Sequence, residues 1–198
     1  MDKLIGEIEH LLNERVWKTK KTRIEAESRL KLNNVLSDII INYYTFALLA
    51  FSIWSLVLDP NSDKTKHIAL STVILSVGLF GITLVMSSIG FKQKALQFKE
   101  SYLKLDSLEN EIKLLLRKVE FKSKIEIIDE LYVLETKYND ILSLTDNHNN
   151  VDFERLVIGR KLKGINLTLI FKYNTKRFIK WLFIGLLLLF PILLIFLV

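Results

Sequence analysis

The residues of this chain that could do chemistry are few and scattered. Its three histidines, His10, His67 and His148, lie far apart in unlike surroundings, and no pair of them has the i, i+4 spacing that a metal site uses. Cysteine is absent, which excludes disulfides, thiolate metal sites, iron–sulfur clusters and a cysteine nucleophile. The densest polar cluster is Asp146 to Asp152, DNHNNVD, whose residue types suit a cation. It lacks the ligand spacing of an EF-hand and its closing Glu, so a turn between two helices is the expectation there. No glycine-rich phosphate loop occurs either. These residues predict no metal, no cofactor and no enzymatic activity.

A different pattern stands out in Ser71, Ile74, Gly78, Gly81, Val85 and Ser88, which recur with seven-residue spacing and give a helix one face of mostly small and hydroxylated residues. Small residues let helix backbones approach closely, and hydroxyls bond across a helix interface. Two readings follow: packing against a neighbouring helix of the same chain, or contact with further copies in an oligomer that lines a pore. Asn42, Tyr43, Tyr44 and Ser52 could serve either. Asn is costly in hydrocarbon without a partner, which singles out Asn42.

The elements that carry these residues are two long apolar runs. Ile39–Leu58 and Ile68–Phe91 contain no Asp, Glu, Lys, Arg or His. At about 1.5 Å per residue each covers the roughly 30 Å of a bilayer's hydrocarbon core. Asp59-Pro60-Asn61-Ser62-Asp63 between them is a turn, so 39–91 reads as a transmembrane hairpin. Two charge-free helices of this length are too much for a chain of 198 residues to wrap as a soluble core.

Charge sets the expected orientation. Of the 28 Lys and Arg residues, eight lie in 1–38, two (Lys64 and Lys66) in the 59–67 connection and eighteen in 92–180. By the positive-inside rule both long polar segments are cytoplasmic and the turn is external. The first residues lack the apolar core of a signal peptide, so the N-terminus is expected to stay inside. Residues 1–38 read as a basic amphipathic helix with Leu4, Ile8, Leu11 and Leu12 on one face.

From 92 to 145, Phe98, Leu105, Leu108, Ile112, Leu115 and Val119 keep a three–four spacing, and Ile127, Leu131, Leu134, Tyr138 and Ile141 continue it after a phase slip at 121–123. That predicts a helical hairpin or coiled coil, closed either by the N-terminal helix or by another chain. The 146–180 segment is basic. Arg160, Lys161, Lys163, Lys172, Lys176, Arg177 and Lys180 are interleaved with apolar and aromatic residues, a pattern that suits anionic headgroups and, less well beside a membrane, RNA. Trp181–Val198 is apolar throughout and reads as a third, C-terminal span, with an in-plane or re-entrant segment as the alternative. The predicted class is an all-α membrane protein.

Three stretches carry a family resemblance: RLKLNNVLSDIIINYYT (Arg29 to Thr45) leading into the hairpin, FKQKALQFKESYLKLDSLENEI (Phe91 to Ile112), and YNDILSLTDNHNNVDF (Tyr138 to Phe153). Over about residues 10–180 the chain resembles the SLATT family, small two-helix membrane proteins of bacterial conflict and antiphage systems. The last stretch is similar to the subgroup that accompanies reverse transcriptases. The resemblance implies an oligomerising effector in the inner membrane, permeabilising it when a sensor such as a reverse transcriptase ribonucleoprotein or a nucleotide second messenger signals infection. It also implies a signal-coupling role for Asp146, Asn147, His148 and Asp152. A membrane scaffold that tethers a nucleoprotein and a small regulated ion channel are the alternatives.

Overall fold

The structure is a computed structural model that describes residues 1–59, 62–145, 149–159 and 167–197. Pro60 and Asn61 of the predicted turn lie outside the described residues. Among those described there is no strand, and the chain forms two compact units.

The first unit, Met1–Lys31 with Lys92–Asn166, carries most of the charge. It begins with α1 (Asp2–His10), which passes through a π-helical segment, Leu11–Val16, into α2 (Trp17–Val57). The extra residue of a π turn brings both Leu11 and Leu12 to the buried side. With Leu4, Ile8 and Val16 they pack on Leu105, Leu108, Ile112 and Leu115 of α4 (Phe91–Lys118) and on Ile127, Leu131, Leu134 and Tyr138 of α5 (Lys124–Ser143). The seam expected at 92–145 is therefore filled by the N-terminal helix of the same chain. The phase slip at its middle is a 3-10 turn, Val119–Phe121, followed by a capping box. The Glu126 N–H donates to Ser123 Oγ, and the Glu126 carboxylate accepts the Ser123 N–H at 2.8 Å. A short helix α6, Asn150–Gly159, completes this unit.

The second unit, Leu32–Phe91 with Leu167–Val198, is apolar. Its helices are the remainder of α2, α3 (Asp63–Ile89) and α7 (Leu167–Leu197). The hairpin of α2 and α3 is joined near its open end by Ser37 Oγ, 3.6 Å from Met86 Sδ. Few of its side chains are buried, Phe51 and Ile68 among them, and large apolar groups such as Phe46, Val77 and Phe80 face outward. Helix α3 ends at Gly90, whose φ of 64° is the left-handed conformation that closes a helix without a Cβ penalty.

Two expected boundaries are not breaks in the backbone. Helix α2 continues through residue 38, and α7 begins at Leu167, well before the apolar run that starts at Trp181. Hydropathy registers a change of solvent, whereas a helix stops only where a cap, Gly or Pro interrupts its hydrogen bonding.

Candidate functional site

In the charged unit the face of α2 that follows Val16 is polar and nearly closed to solvent. Thr22 and Arg23 are 1% and 2% exposed, and Ala26 and Leu30 accompany them. Thr22 donates to the Lys18 carbonyl of its own helix at 2.9 Å, whereas several other polar groups on this stretch are met by residues distant in sequence. Thr19 Oγ1 lies 2.9 Å from the Tyr138 hydroxyl, and the Arg15 guanidinium sits over the Tyr138 ring, 4.8 Å from its centroid. Arg15 also bonds Glu135 at 2.9 Å. Arg23 donates to the carbonyl of Ile141 at 3.3 Å, at the C-terminal end of α5 where the helix dipole favours a cation. Burial holds the Arg23 pKa below its ordinary value.

Lys20 is 7% exposed and reaches two carboxylates of α4, Asp106 at 2.9 Å and Glu109. Glu109 in turn accepts Lys113 at 2.5 Å. Burial alone would lower the Lys20 ammonium, but Glu109 and Asp106 outweigh it and raise its pKa. Burial would raise Glu109, and Lys113 with Lys20 overcomes that and lowers it. Asp106 is lowered by Lys20 above all.

Further along α2, Arg29 forms a two-pronged pair with Asp152, Nε to Oδ1 at 2.6 Å and Nη2 to Oδ2 at 3.0 Å. Asp152 is fully buried. It also accepts the N–H of Asn149 at 3.0 Å, while the Asn149 side chain accepts the N–H of Val151 at 3.4 Å, so the same carboxylate caps α6 and fastens it to α2. A second pair, Arg155 Nε to Glu25 at 2.8 Å, has the opposite polarity and runs between the same helices. Beside this joint a groove of about 500 Å³ opens between Trp17 and Lys18 on one side and Phe153, Leu156 and Val157 on the other.

Of the expected signal-coupling residues, the structure thus gives Asp152 a definite place. Asp146, Asn147 and His148 lie outside the described residues, as do Arg160, Lys161 and Lys163. Lys172, Lys176, Arg177 and Lys180 all lie exposed on α7. The Lys180 ammonium donates to Asn33 Oδ1 at 2.7 Å. Arg15, Lys20, Arg23 and Arg29 entered the sequence reading as topogenic charge or motif letters. The fold instead uses them as ties, each to a partner about a hundred residues away, a relation for which a single sequence carries no signal.

In the apolar unit the small-residue face of α3 is open. Ile74, Gly78, Gly81, Val85 and Ser88 are exposed and Ser71 is half-buried, and a Cβ added at Gly78 or Gly81 would meet nothing within 4 Å. Asn42 is exposed on α2. Of the two readings of this face, contact within the chain does not occur at either glycine among the described residues.

The helical architecture, with two helices among the described residues long and apolar enough to cross a bilayer, defines an all-α membrane protein. The chain belongs to the SMODS and SLOG-associating 2TM effector domain family 5, whose model matches residues 7–197. No curated protein and no solved structure matches it.

Proposed function

We propose that this chain is the membrane effector of a bacterial antiphage system, acting without catalysis. It sits in the inner membrane with its N-terminus and charged unit in the cytoplasm. When a cytoplasmic sensor signals infection, copies associate through α3 and depolarise the membrane. A reverse transcriptase ribonucleoprotein or a nucleotide second messenger is the proposed trigger. The observation that carries this reading is the open α3 face: from Ile68 onward the helix is charge-free over a spanning length, and among the described residues nothing lies within 4 Å of a Cβ placed at Gly78 or Gly81. Helix association in lipid depends on close packing, which such a face supplies. The Arg29–Asp152 and Arg155–Glu25 joint is the proposed receiver. It ties α6 to the helix that continues into the first span, and the groove beside it gives a trigger access to both.

Membrane potential, followed with a voltage-sensitive dye after induced expression, tests this. Gly78 and Gly81 stand in open space, so Gly78→Leu and Gly81→Leu fit the isolated chain, and any lost activity reports on assembly. The expected result is that each abolishes depolarisation while membrane insertion is retained. Unchanged depolarisation in both variants removes the face from the mechanism. Exposed Lys172 and Arg177 favour a second reading, a scaffold that tethers a nucleoprotein. It predicts retained killing in the glycine variants and loss of RNA capture when the two cations are neutralised.

A further inference from the structure

Three residues that the effector reading leaves unused, Tyr43, Tyr44 and Pro191, meet at one place in the apolar unit. Proline has no N–H, so the carbonyl of Leu187, one helical turn before Pro191, loses the donor that α7 would otherwise provide. The Tyr44 hydroxyl donates to that same carbonyl at 2.7 Å. The Tyr43 hydroxyl donates to the next one, Leu188, at 2.8 Å. The two rings meet edge to face with centroids 5.9 Å apart, so neighbouring residues of α2 close on consecutive carbonyls of α7. Pro191 is buried, whereas Ile192 and Leu193 beside it are exposed.

Hydrocarbon offers no water to an orphaned carbonyl and no partner to a tyrosine hydroxyl, so each group here resolves the other's deficit. Several other hydroxyls of the unit behave differently. Thr45, Ser52, Thr72 and Thr83 each bond a carbonyl of their own helix, one turn back. A further contact fixes direction. Lys180 bonds Asn33, and Asn33 precedes Tyr43 in α2 much as Lys180 precedes Leu188 in α7, so the two helices run parallel with matched levels.

We propose that α7 is a third membrane-crossing helix, locked parallel to α2 by the Tyr43 and Tyr44 hydroxyls at the break that Pro191 makes. This goes beyond the two spans of the family description and beyond the effector reading, since it concerns how the transmembrane unit is built whatever it does. A proline that would weaken an isolated helix becomes the address at which α2 recognises α7.

The chain contains no cysteine, so introduced cysteines report without background. In the full chain in membranes, Asn33→Cys with Lys180→Cys is joined by a short bis-maleimide, and the crosslinked fraction is followed as SDS is titrated in. Alkaline carbonate extraction checks that every variant stays inserted. Tyr44→Phe is expected to move the loss of crosslinking to lower SDS, corresponding to a roughly threefold to tenfold fall in the docked fraction at a fixed concentration. Pro191→Ala returns an N–H to the Leu187 carbonyl and so removes the address; it is expected to weaken docking by itself, and Tyr44→Phe added to it is expected to shift the profile less than Tyr44→Phe does in the original chain. An unchanged profile in Tyr44→Phe, or shifts from the two substitutions that simply add, overturns the lock. For the crossing, single cysteines at Lys180 and Leu197 are expected to react with an impermeant maleimide from opposite sides of the membrane. Labelling of both from one side overturns the third span.

Discussion

Near its start helix α2 buries Thr22 and Arg23, at 1% and 2% exposure, while further along the same helix Phe46 and Leu56 stand 73% and 85% exposed. The usual inside-out arrangement of polar and apolar groups is thus reversed along one element. In the charged unit a buried polar group is tolerated because another helix brings it a partner, as Ile141 does for Arg23 and Asp152 for Arg29. In the apolar unit the exposed groups face lipid, where an apolar side chain needs no cover and an unpaired polar group is the liability. Burial therefore measures packing in the first unit and says little about stability in the second.

Core truncations separate the two units most sharply. Ile112 is fully buried among the helices of the charged unit, so Ile112→Ala is expected to destabilise that unit by about 2–5 kcal/mol. Val77 is 67% exposed, and Val77→Ala is expected to change stability by less than about 0.5 kcal/mol. Thermal melting of the detergent-solubilised chain checks both. A comparable loss at Val77 would mean that the exposed face of α3 is already covered in the solubilised protein.

Asp152→Ala strands the Arg29 guanidinium and uncaps α6. Removing one partner of a buried pair costs about 3–5 kcal/mol, and since Arg29 is 26% exposed the low end, about 3 kcal/mol, is expected. Limited proteolysis should then cut first in 150–159 while α4 and α5 persist. A smaller effect comes from Gly90→Ala, which forces an L side chain into the left-handed region at a cost of about 1–2 kcal/mol. Gly78→Ala, at a helical glycine in open space, is neutral or slightly stabilising by comparison.

The pH response should be confined to the charged unit. Glu109 and Asp106 are held below their ordinary values of 4.5 and 3.8. A depressed carboxylate contributes stability that is complete above its unfolded pKa and is lost as pH falls through the folded one. The melting temperature is therefore expected to be flat from neutral pH to about 5 and to decline below about 4. Glu109→Gln should flatten that decline while lowering stability at neutral pH. An acid limb of unchanged steepness in the variant would assign the decline to other carboxylates.

Much of the architecture was legible in the residue order, because the signals concerned are local. Helix periodicity, the charge-free length of 39–58 and 68–91, and the phase slip at 121–123 each depend on neighbours within a turn or two. The chemical poverty of the chain was equally plain from its composition. The same reading gave a basic helix and a DNH cluster with no means of relating them. It also named Tyr43 and Tyr44 on the first span without a partner for either hydroxyl.

Residue order therefore carries the helical class, the apolar spans and the family to which the matched residues 7–197 assign the chain. Tertiary structure alone decided that Arg29 meets Asp152, that Lys20 lies between Asp106 and Glu109, and that Tyr44 answers the carbonyl freed by Pro191. It also decided that nothing among the described residues lies within 4 Å of a Cβ at Gly78 or Gly81. The reason is physical. Solvent preference and helix propensity are written in short windows of sequence, whereas the pairing of a buried charge or an orphaned carbonyl depends on which distant helix arrives to satisfy it.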